Sequence, residues 1–235
     1  MISLLSIPVT QDKSKMKNMT LLQDTDKLKA LLNFDNPTIL EVGCNDGTDS
    51  WKFLELFPNA QLYCFEPEPR AITQFKERIN DEHCHLYEVA LGAENGKSIF
   101  HQSSGTTKGS WKADWDLSGS LNKPTGHHEF SPWVKFETQI EVPVRTLDSI
   151  VSEIGLNTID LIWMDVQGGE QNVIRGGRET LKHTKFIYAE FSHWNKPLYE
   201  GQMTKDETMQ ELGSDWEFLD IYDTCNILAR NKTKE

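Results

Sequence analysis

The run Glu41-Val42-Gly43-Cys44-Asn45-Asp46-Gly47 follows a short apolar stretch, Ile39 to Val42, and leads into a segment with helical spacing. Its glycines let the chain turn sharply and bring backbone close to a ligand. The helix that follows presents free N–H groups. A pyrophosphate site would read Gly-x-Gly-x-x-Gly, and the middle glycine is absent, so the loop suits a ligand without a pyrophosphate. A plain strand-to-helix turn would use the same glycines. Glu66, followed by Pro67, ends the next apolar run, Leu62 to Phe65. A carboxylate there accepts both hydroxyls of a ribose, as an acid does at the matching place in dinucleotide folds. Its plainer role is an acid favoured by a helix N-terminus. The pairing with the glycine loop favours the ribose. Glu41, Gly43, Asn45, Asp46, Gly47, Glu66 and Pro67 are therefore candidate cofactor residues.

A second group of chemically capable residues lies further on. Asp165 directly follows the apolar run that starts at Ile159. It can hydrogen-bond a ligand, orient an acceptor or take its proton, or else simply cap the next helix. Glu190 and His193 end a later apolar run, and either is a candidate base; histidine titrates in the useful range. Glu170 is placed to open a helix.

Residues 102–135 carry Trp111, Trp115, Trp133 and the pair His127-His128 with Glu129. Trp111, Trp115, His127 and Trp133 are candidates for an acceptor pocket, since aromatic faces with a few polar groups suit a polyol. The alternative is that the tryptophans pin a long loop onto the domain. Gly105, Gly109, Gly119 and Gly126 would give that loop freedom to close as a lid. Lys108, Lys112 and Lys123 serve either an anionic group or solvation. Adjacent histidines diverge, and no cysteine or histidine cluster has ligand spacing, so no metal is expected.

The elements that must position these residues alternate. Leu28, Leu31 and Leu32 mark a first helix, which Pro37 closes. Strands at 39–42, 62–65 and 84–90 alternate with helices at 48–57 and from Pro69. Then come an extra strand at 97–101, the long aperiodic loop, and a strand at 138–144. Thr146 caps a helix that Gly155 stops. A buried strand at 159–166, a helix carrying Val173, Ile174 and Leu181, and a strand at 185–191 follow. Thr204 to Glu207 is a capping box opening a helix that Gly213 closes. The runs 216–222 and 225–230 make a terminal antiparallel hairpin. This order predicts an α/β fold, a mostly parallel sheet with helices on both faces. Ligands in such sheets bind beyond the carboxyl ends of the strands. The organisation expected is a flexible arm over 1–20, then one domain over 21–235 with an insertion at 97–144.

The composition narrows the class. The 235 residues hold 24 Lys+Arg against 36 Asp+Glu, a formal charge of −12, which disfavours nucleic acid as a partner. The longest apolar runs are far short of a membrane span, so no membrane partner is expected. The opening segment lacks the basic start of a signal peptide. Cys44, Cys64, Cys84 and Cys225 read as reduced thiols of a cytoplasmic protein. The sequence leaves the oligomeric state open.

Together the glycine loop and Glu66 resemble the class I S-adenosylmethionine-dependent methyltransferases. That resemblance implies a Rossmann-like seven-stranded sheet. The glycine loop would cradle the methionine part, Glu66 would hold the ribose, and Ala90 and Leu91, after Val89, would border the adenine. Asp165 would lie beside the cofactor strand, within reach of the methionine amine. The segment Asp160 to Glu170, with Thr146-Leu147-Asp148, Gly176-Gly177 and Tyr188-Ala189-Glu190, is similar to the FkbM family of methyltransferases. That family commonly reads Asp-x-Glu-Gly-x-Glu, whereas this chain has Gln167 where Glu is usual and Gly169 where Ala is usual. The likeness spans roughly residues 38–230. It implies methylation of a hydroxyl oxygen on a sugar or natural product, with S-adenosylmethionine as cofactor and a small molecule as acceptor. The competing reading is a cofactor-binding module of the same fold that has lost catalysis.

Overall fold

The structure is a computed structural model, and it describes residues 19–106, 114–192 and 197–234. Helix α1 (Thr25–Leu31) leads to β1 (Thr38–Val42), α2 (Thr48–Leu56), β2 (Gln61–Phe65), α3 (Pro69–Arg78) and β3 (Cys84–Tyr87). Then come β4 (Ala90–Leu91), β5 (Gly96–Ser104), the short helix α4 (His127–Phe130) and β6 (Lys135–Arg145). The alternation resumes with α5 (Leu147–Ile154), β7 (Ile159–Met164), α6 (Glu170–Arg175), α7 (Arg178–Leu181) and β8 (Thr184–Glu190). Helix α8 (Lys205–Leu212) precedes β9 (Trp216–Tyr222) and β10 (Asn226–Asn231).

Seven of these strands form one sheet in the order β3-β2-β1-β7-β8-β10-β9. All its pairings are parallel except those of β10, which runs antiparallel to both β8 and β9. Strand β7 is buried along its whole length, as a central parallel strand covered on both faces must be. Alternate residues of β1 feed two cores. Leu40 and Val42 pack with Leu147, Ile150, Val173 and Leu181, while Ile39 packs on the other face with Leu28, Phe53 and Phe75. The arrangement is the Rossmann-like sheet the sequence led us to expect. Strand order reverses between β1 and β7, so their carboxyl ends open a crevice there.

Several boundaries differ from the sequence reading. The expected third strand, 84–90, is two strands. Val89 N bonds Tyr87 O across a turn, and β4 leaves the main sheet to pair with β6 in a second sheet, β4-β6-β5. The helix expected around Val173 to Leu181 is broken into α6 and α7 at Gly176 and Gly177. A Cβ at Gly176 would lie 2.1 Å from Gly92 O, so the chains approach too closely there for any side chain. Strands β5 and β6 are longer than expected and pair over most of their length. The described end of the N-terminal arm is tied down, with Asp223 N donating to Met19 O at 3.1 Å. The Thr204 capping box, the Thr146 cap and the hairpin stand where the sequence puts them.

Candidate active site

A cleft opens at the switch point, lined by Val42 and Gly43 from the end of β1, Glu66 from the end of β2 and Asp165 from the end of β7. Gly43 lies at its base with φ +87°, where a Cβ would stand 1.9 Å from Asp165 O. The ends of β1 and β7 can therefore meet only through a glycine. Asn45 takes a positive φ of 45° and points its N–H at Glu66 Oε2, 2.9 Å away. Glu66 Oε1 accepts from Glu68 N at 2.8 Å. Both carboxylate oxygens are thus fixed by backbone, and each keeps lone-pair capacity for a ligand hydroxyl. Burial pushes the Glu66 carboxyl up to about 7, against the pull of those two N–H groups. Pro67, Val89, Ala90, Leu91, Phe100 and Leu121 supply an apolar wall beside it.

Three expected cofactor residues sit elsewhere. Glu41 points through the sheet to the opposite face, where its carboxylate accepts from Ser50 Oγ at 2.5 Å. Its carboxyl is held far above the ordinary range by burial. It does not line the cleft, because period-2 alternation sends it opposite to Val42. Asp46 accepts from Thr48 N at 3.1 Å just before α2, and it pairs with Arg78 at 2.7 Å. Gly47 precedes α2, and a Cβ there would meet Phe75 Cδ2 at 2.8 Å, so it serves helix packing.

At the other end of the cleft, Asp165, Glu170 and Glu190 bring carboxylate oxygens within 4.8 Å of one another. Solvent reaches Asp165 through the cleft, yet the protein around it desolvates the group and raises its pKa. Burial and the Asp165 charge raise Glu190 well above the usual range. Burial pushes Glu170 up to about 7, while its Oε1 accepts from Val166 N at 3.1 Å. Gln167 Nε2 donates to Asp165 Oδ1 at 2.6 Å and to Glu190 Oε2 at 3.3 Å. Such a trio either shares protons or gathers a cation. An N–H aimed among its oxygens opposes a cation and fits shared protons. The arrangement can accept a proton from a hydroxyl at the cleft.

The insertion forms a wall of the cleft. Ser120 Oγ donates to Gln167 O at 2.8 Å and Asn122 Nδ2 to Gly168 O at 2.7 Å, strapping the segment across the end of β7. Gln74 Nε2 holds Asp116 at 2.9 Å. The mobile lid inferred from glycines is not what their surroundings indicate. Cβ atoms at Gly105, Gly119 and Gly126 would meet Trp133 O at 2.2 Å, Phe100 Cζ at 2.6 Å and Pro197 O at 2.7 Å. These glycines permit close approach of packed chains. Trp115 and Trp133 do not line the cleft. Their rings meet edge-on at 4.9 Å, and Trp115 Nε1 donates to Ser118 Oγ, so they pin the loop. His127 is buried on the far side against Phe136 and Tyr199, with burial lowering its pKa to about 4. Trp111, Gly109, Lys108, Lys112 and His193 lie outside the described residues.

Sequence reasoning missed Tyr199, Gln167 as a donor, and Phe100, Leu121 and Asn172 as cleft residues. Tyr199 is fully buried, and its hydroxyl lies 2.8 Å from both Ser118 O and Gln167 Oε1. No local spacing flags it. Phe100 faces inward from β5 while its apolar neighbour Ile99 is exposed, and the sequence does not tell the two apart.

The chain matches the model of the Methyltransferase FkbM domain over residues 41–221. It is 49% identical over 178 residues to the 2-O-methyltransferase NoeI of Sinorhizobium fredii (strain NBRC 101917 / NGR234), covering 75% of this chain and 71% of that protein. It is 22% identical over 149 residues to Methyltransferase 1 of Beauveria bassiana (strain ARSEF 2860), covering 60% of this chain and 59% of that one. Among solved structures, the fibrillarin of Aeropyrum pernix, in complex with natively bound S-adenosyl-L-methionine, aligns with a TM-score of 0.45 at 12% identity, covering 88% of this chain and 72% of that one.

Proposed function

The chain belongs to the FkbM methyltransferase family, and from that premise we propose that it transfers a methyl group from S-adenosylmethionine to a hydroxyl of a small, sugar-like acceptor. The observation that carries the reading is Glu66. Its two oxygens are each anchored by a backbone N–H and it lines a cleft that ends at Asp165. A nucleoside ribose offers the two O–H donors such a carboxylate lacks. Val89, Ala90, Leu91 and Phe100 suit an adenine ring, and Gly43 leaves room for the chain of an amino acid. S-adenosylmethionine supplies an electrophilic methyl on a sulfonium. The work left to the protein is alignment and removal of a proton. Asp165 takes the acceptor proton, and Glu190 stands behind it to share the charge. The relative named as a 2-O-methyltransferase supports a hydroxyl acceptor, and the acidic chain supports a small molecule over nucleic acid. Four unpaired thiols fit a reducing compartment such as the cytoplasm.

The test has two stages. Calorimetry with S-adenosylmethionine, S-adenosylhomocysteine and NAD should give binding of the first two alone. Incubation with methyl-labelled S-adenosylmethionine and a panel of methyl pyranosides bearing a free 2-hydroxyl should then give labelled sugar ether. Binding of NAD in preference, or label appearing only in added nucleic acid or protein, defeats the proposal. Tight cofactor binding with no label in any acceptor class favours the non-catalytic module instead.

A further inference from the structure

Gln167 stands where the family commonly carries glutamate, and the structure makes that difference chemical. The residue sits at φ 53°, a left-handed conformation that a non-glycine residue adopts only when its surroundings hold it there. They do so from both sides. Its backbone carbonyl accepts from Ser120 Oγ, its Oε1 faces the Tyr199 hydroxyl at 2.8 Å, and its Nε2 reaches Asp165 and Glu190. The Tyr199 hydroxyl has one hydrogen and two acceptors, Ser118 O and Gln167 Oε1, at equal distances. That hydrogen serves one acceptor or the other, so it is the acceptor-rich carboxylate side that favours the amide orientation with nitrogen toward Asp165 and Glu190 and oxygen toward Tyr199. The carboxylate oxygens of Asp165 and Glu190 lie within 4.8 Å of each other and both face the Gln167 amide, so two charges there repel and a proton on one of the pair relieves the repulsion.

We propose that Gln167, with its amide anchored by Tyr199, is a positioning residue that keeps Asp165 the unprotonated member of the Asp165–Glu190 pair. The inference rests on Asp165 being the proton acceptor of the proposed reaction. The donor contact is shorter to Asp165 than to Glu190, 2.6 against 3.3 Å, so it stabilises the negative form of Asp165 more. Glu190 then holds the shared proton. The groups facing the pair are Glu170 from α6, Asp49 from α2, Tyr188 from β8, Asp223 and Cys225 from the β9–β10 turn, and Tyr199. None of these is cationic, and the N–H donors that favour the charged form of Asp165 are the Gln167 side-chain amide and the Gln167 backbone N–H. A glutamate at 167 would remove that donor and add a fourth acid.

The test is a carbon-13 carboxyl NMR titration of the full chain labelled at Asp and Glu side chains, with Asp165→Asn and Glu190→Gln to assign the resonances. It needs no acceptor. In the wild type the lower step of the pair should belong to Asp165. Gln167→Glu should raise that step by one pH unit or more, and Tyr199→Phe should raise it by less. Gln167→Met, neutral and of similar volume but without a donor, replaces the glutamate variant if the latter does not fold. Where turnover of a methyl pyranoside is found, the acid limb of the kcat profile should move by the same amount, with KM for the cofactor unchanged. An unmoved Asp165 step in both Gln167 variants overturns the inference, as does ionisation of Glu190 before Asp165. Absence of turnover with a shifted titration instead counts against the methyl-transfer reading alone.

Discussion

A Cβ on Gly43 would lie 1.9 Å from the carbonyl oxygen of Asp165. The glycine loop after β1 and the end of β7 are therefore held at a separation that only glycine allows. Gly43→Ala must also hold φ near +87°, which costs an L-residue roughly 1–2 kcal/mol before any clash. The obstacle is backbone, so β1 and β7 must part. The expected outcome is a lower Tm and loss of S-adenosylmethionine binding by calorimetry. Gly47→Ala, whose Cβ meets the side chain of Phe75, should lower Tm less and retain binding. Equal effects from the two would mean that the Gly43–Asp165 approach is not what shapes the site.

Glu66 should make cofactor binding depend on pH. Its carboxyl is raised to about 7, so below neutrality it carries a proton and can accept only part of what two ribose hydroxyls donate. Affinity should rise as pH goes from 6 to 8 and level off above. Glu66→Gln should flatten that dependence and weaken binding by about 1.5–3 kcal/mol, roughly ten- to a hundredfold. The same raised pKa has a stability consequence. Between the ordinary carboxylate pKa and about 7 the folded chain holds a proton that the unfolded chain has lost, so stability falls as pH rises through that window. Glu66→Gln should flatten part of that decline in urea unfolding. A variant with the wild-type pH profile for binding would remove the ribose assignment.

The glycine loop and Glu66 were legible because they are local. One βα unit places both, and the strand-end acid and the turn follow from spacing alone. Glu41 departs from the expectation for a reason equally local: strand alternation sends it to the face opposite Val42, and a motif's spacing does not carry that parity. The insertion was illegible in a deeper way. Its strap is held by contacts such as Tyr199 with Ser118, 81 residues apart, and Gln74 with Asp116, 42 apart. Neither pair leaves a periodic trace. The glycines of the loop suggested motion because a sequence displays their freedom and hides the neighbours that make them necessary.

Asp165→Asn should separate turnover from folding. The surrounding protein desolvates the Asp165 carboxyl and raises it above its ordinary value, although solvent reaches it through the cleft, so its charge at neutral pH disfavours the folded state. Removing that charge while keeping the shape should leave Tm equal or higher. Loss of a general base costs about 10²–10⁴ in rate. Methyl transfer to a reactive pyranoside should fall by that factor with cofactor affinity nearly unchanged. Wild-type turnover in a normally melting variant would assign the proton to another group.

Activity should survive chelation. The oxygens of Asp165, Glu170 and Glu190 are close enough to draw a divalent ion, but the Gln167 amide already donates to two of the three groups. Dialysis against EDTA should leave the rate within twofold. A loss restored by magnesium or manganese would mean that the amide turns away to admit an ion.

The segment 118–122 should behave as a fixed wall, so loosening it should cost cofactor affinity as well as turnover. Gly119 and Leu121 line the cleft beside Phe100, while the intervening Ser120 and the adjacent Asn122 grip the carbonyls of Gln167 and Gly168. A lid that merely closes over an acceptor would leave cofactor binding untouched when weakened. A wall shared by the adenine side and the Gln167 turn would not. Ser120→Ala with Asn122→Ala removes both grips and leaves the lining residues in place. The two lost hydrogen bonds should cost about 1–3 kcal/mol together. They should weaken S-adenosylhomocysteine binding several-fold and lower kcat through the released turn. Gly119→Ala gives the complementary test, because its Cβ would press on the Phe100 ring and drive it toward the adenine side of the cleft. That variant should lose affinity for S-adenosylhomocysteine more than for free methionine. Unchanged cofactor affinity in both variants, with turnover alone reduced, would restore the lid.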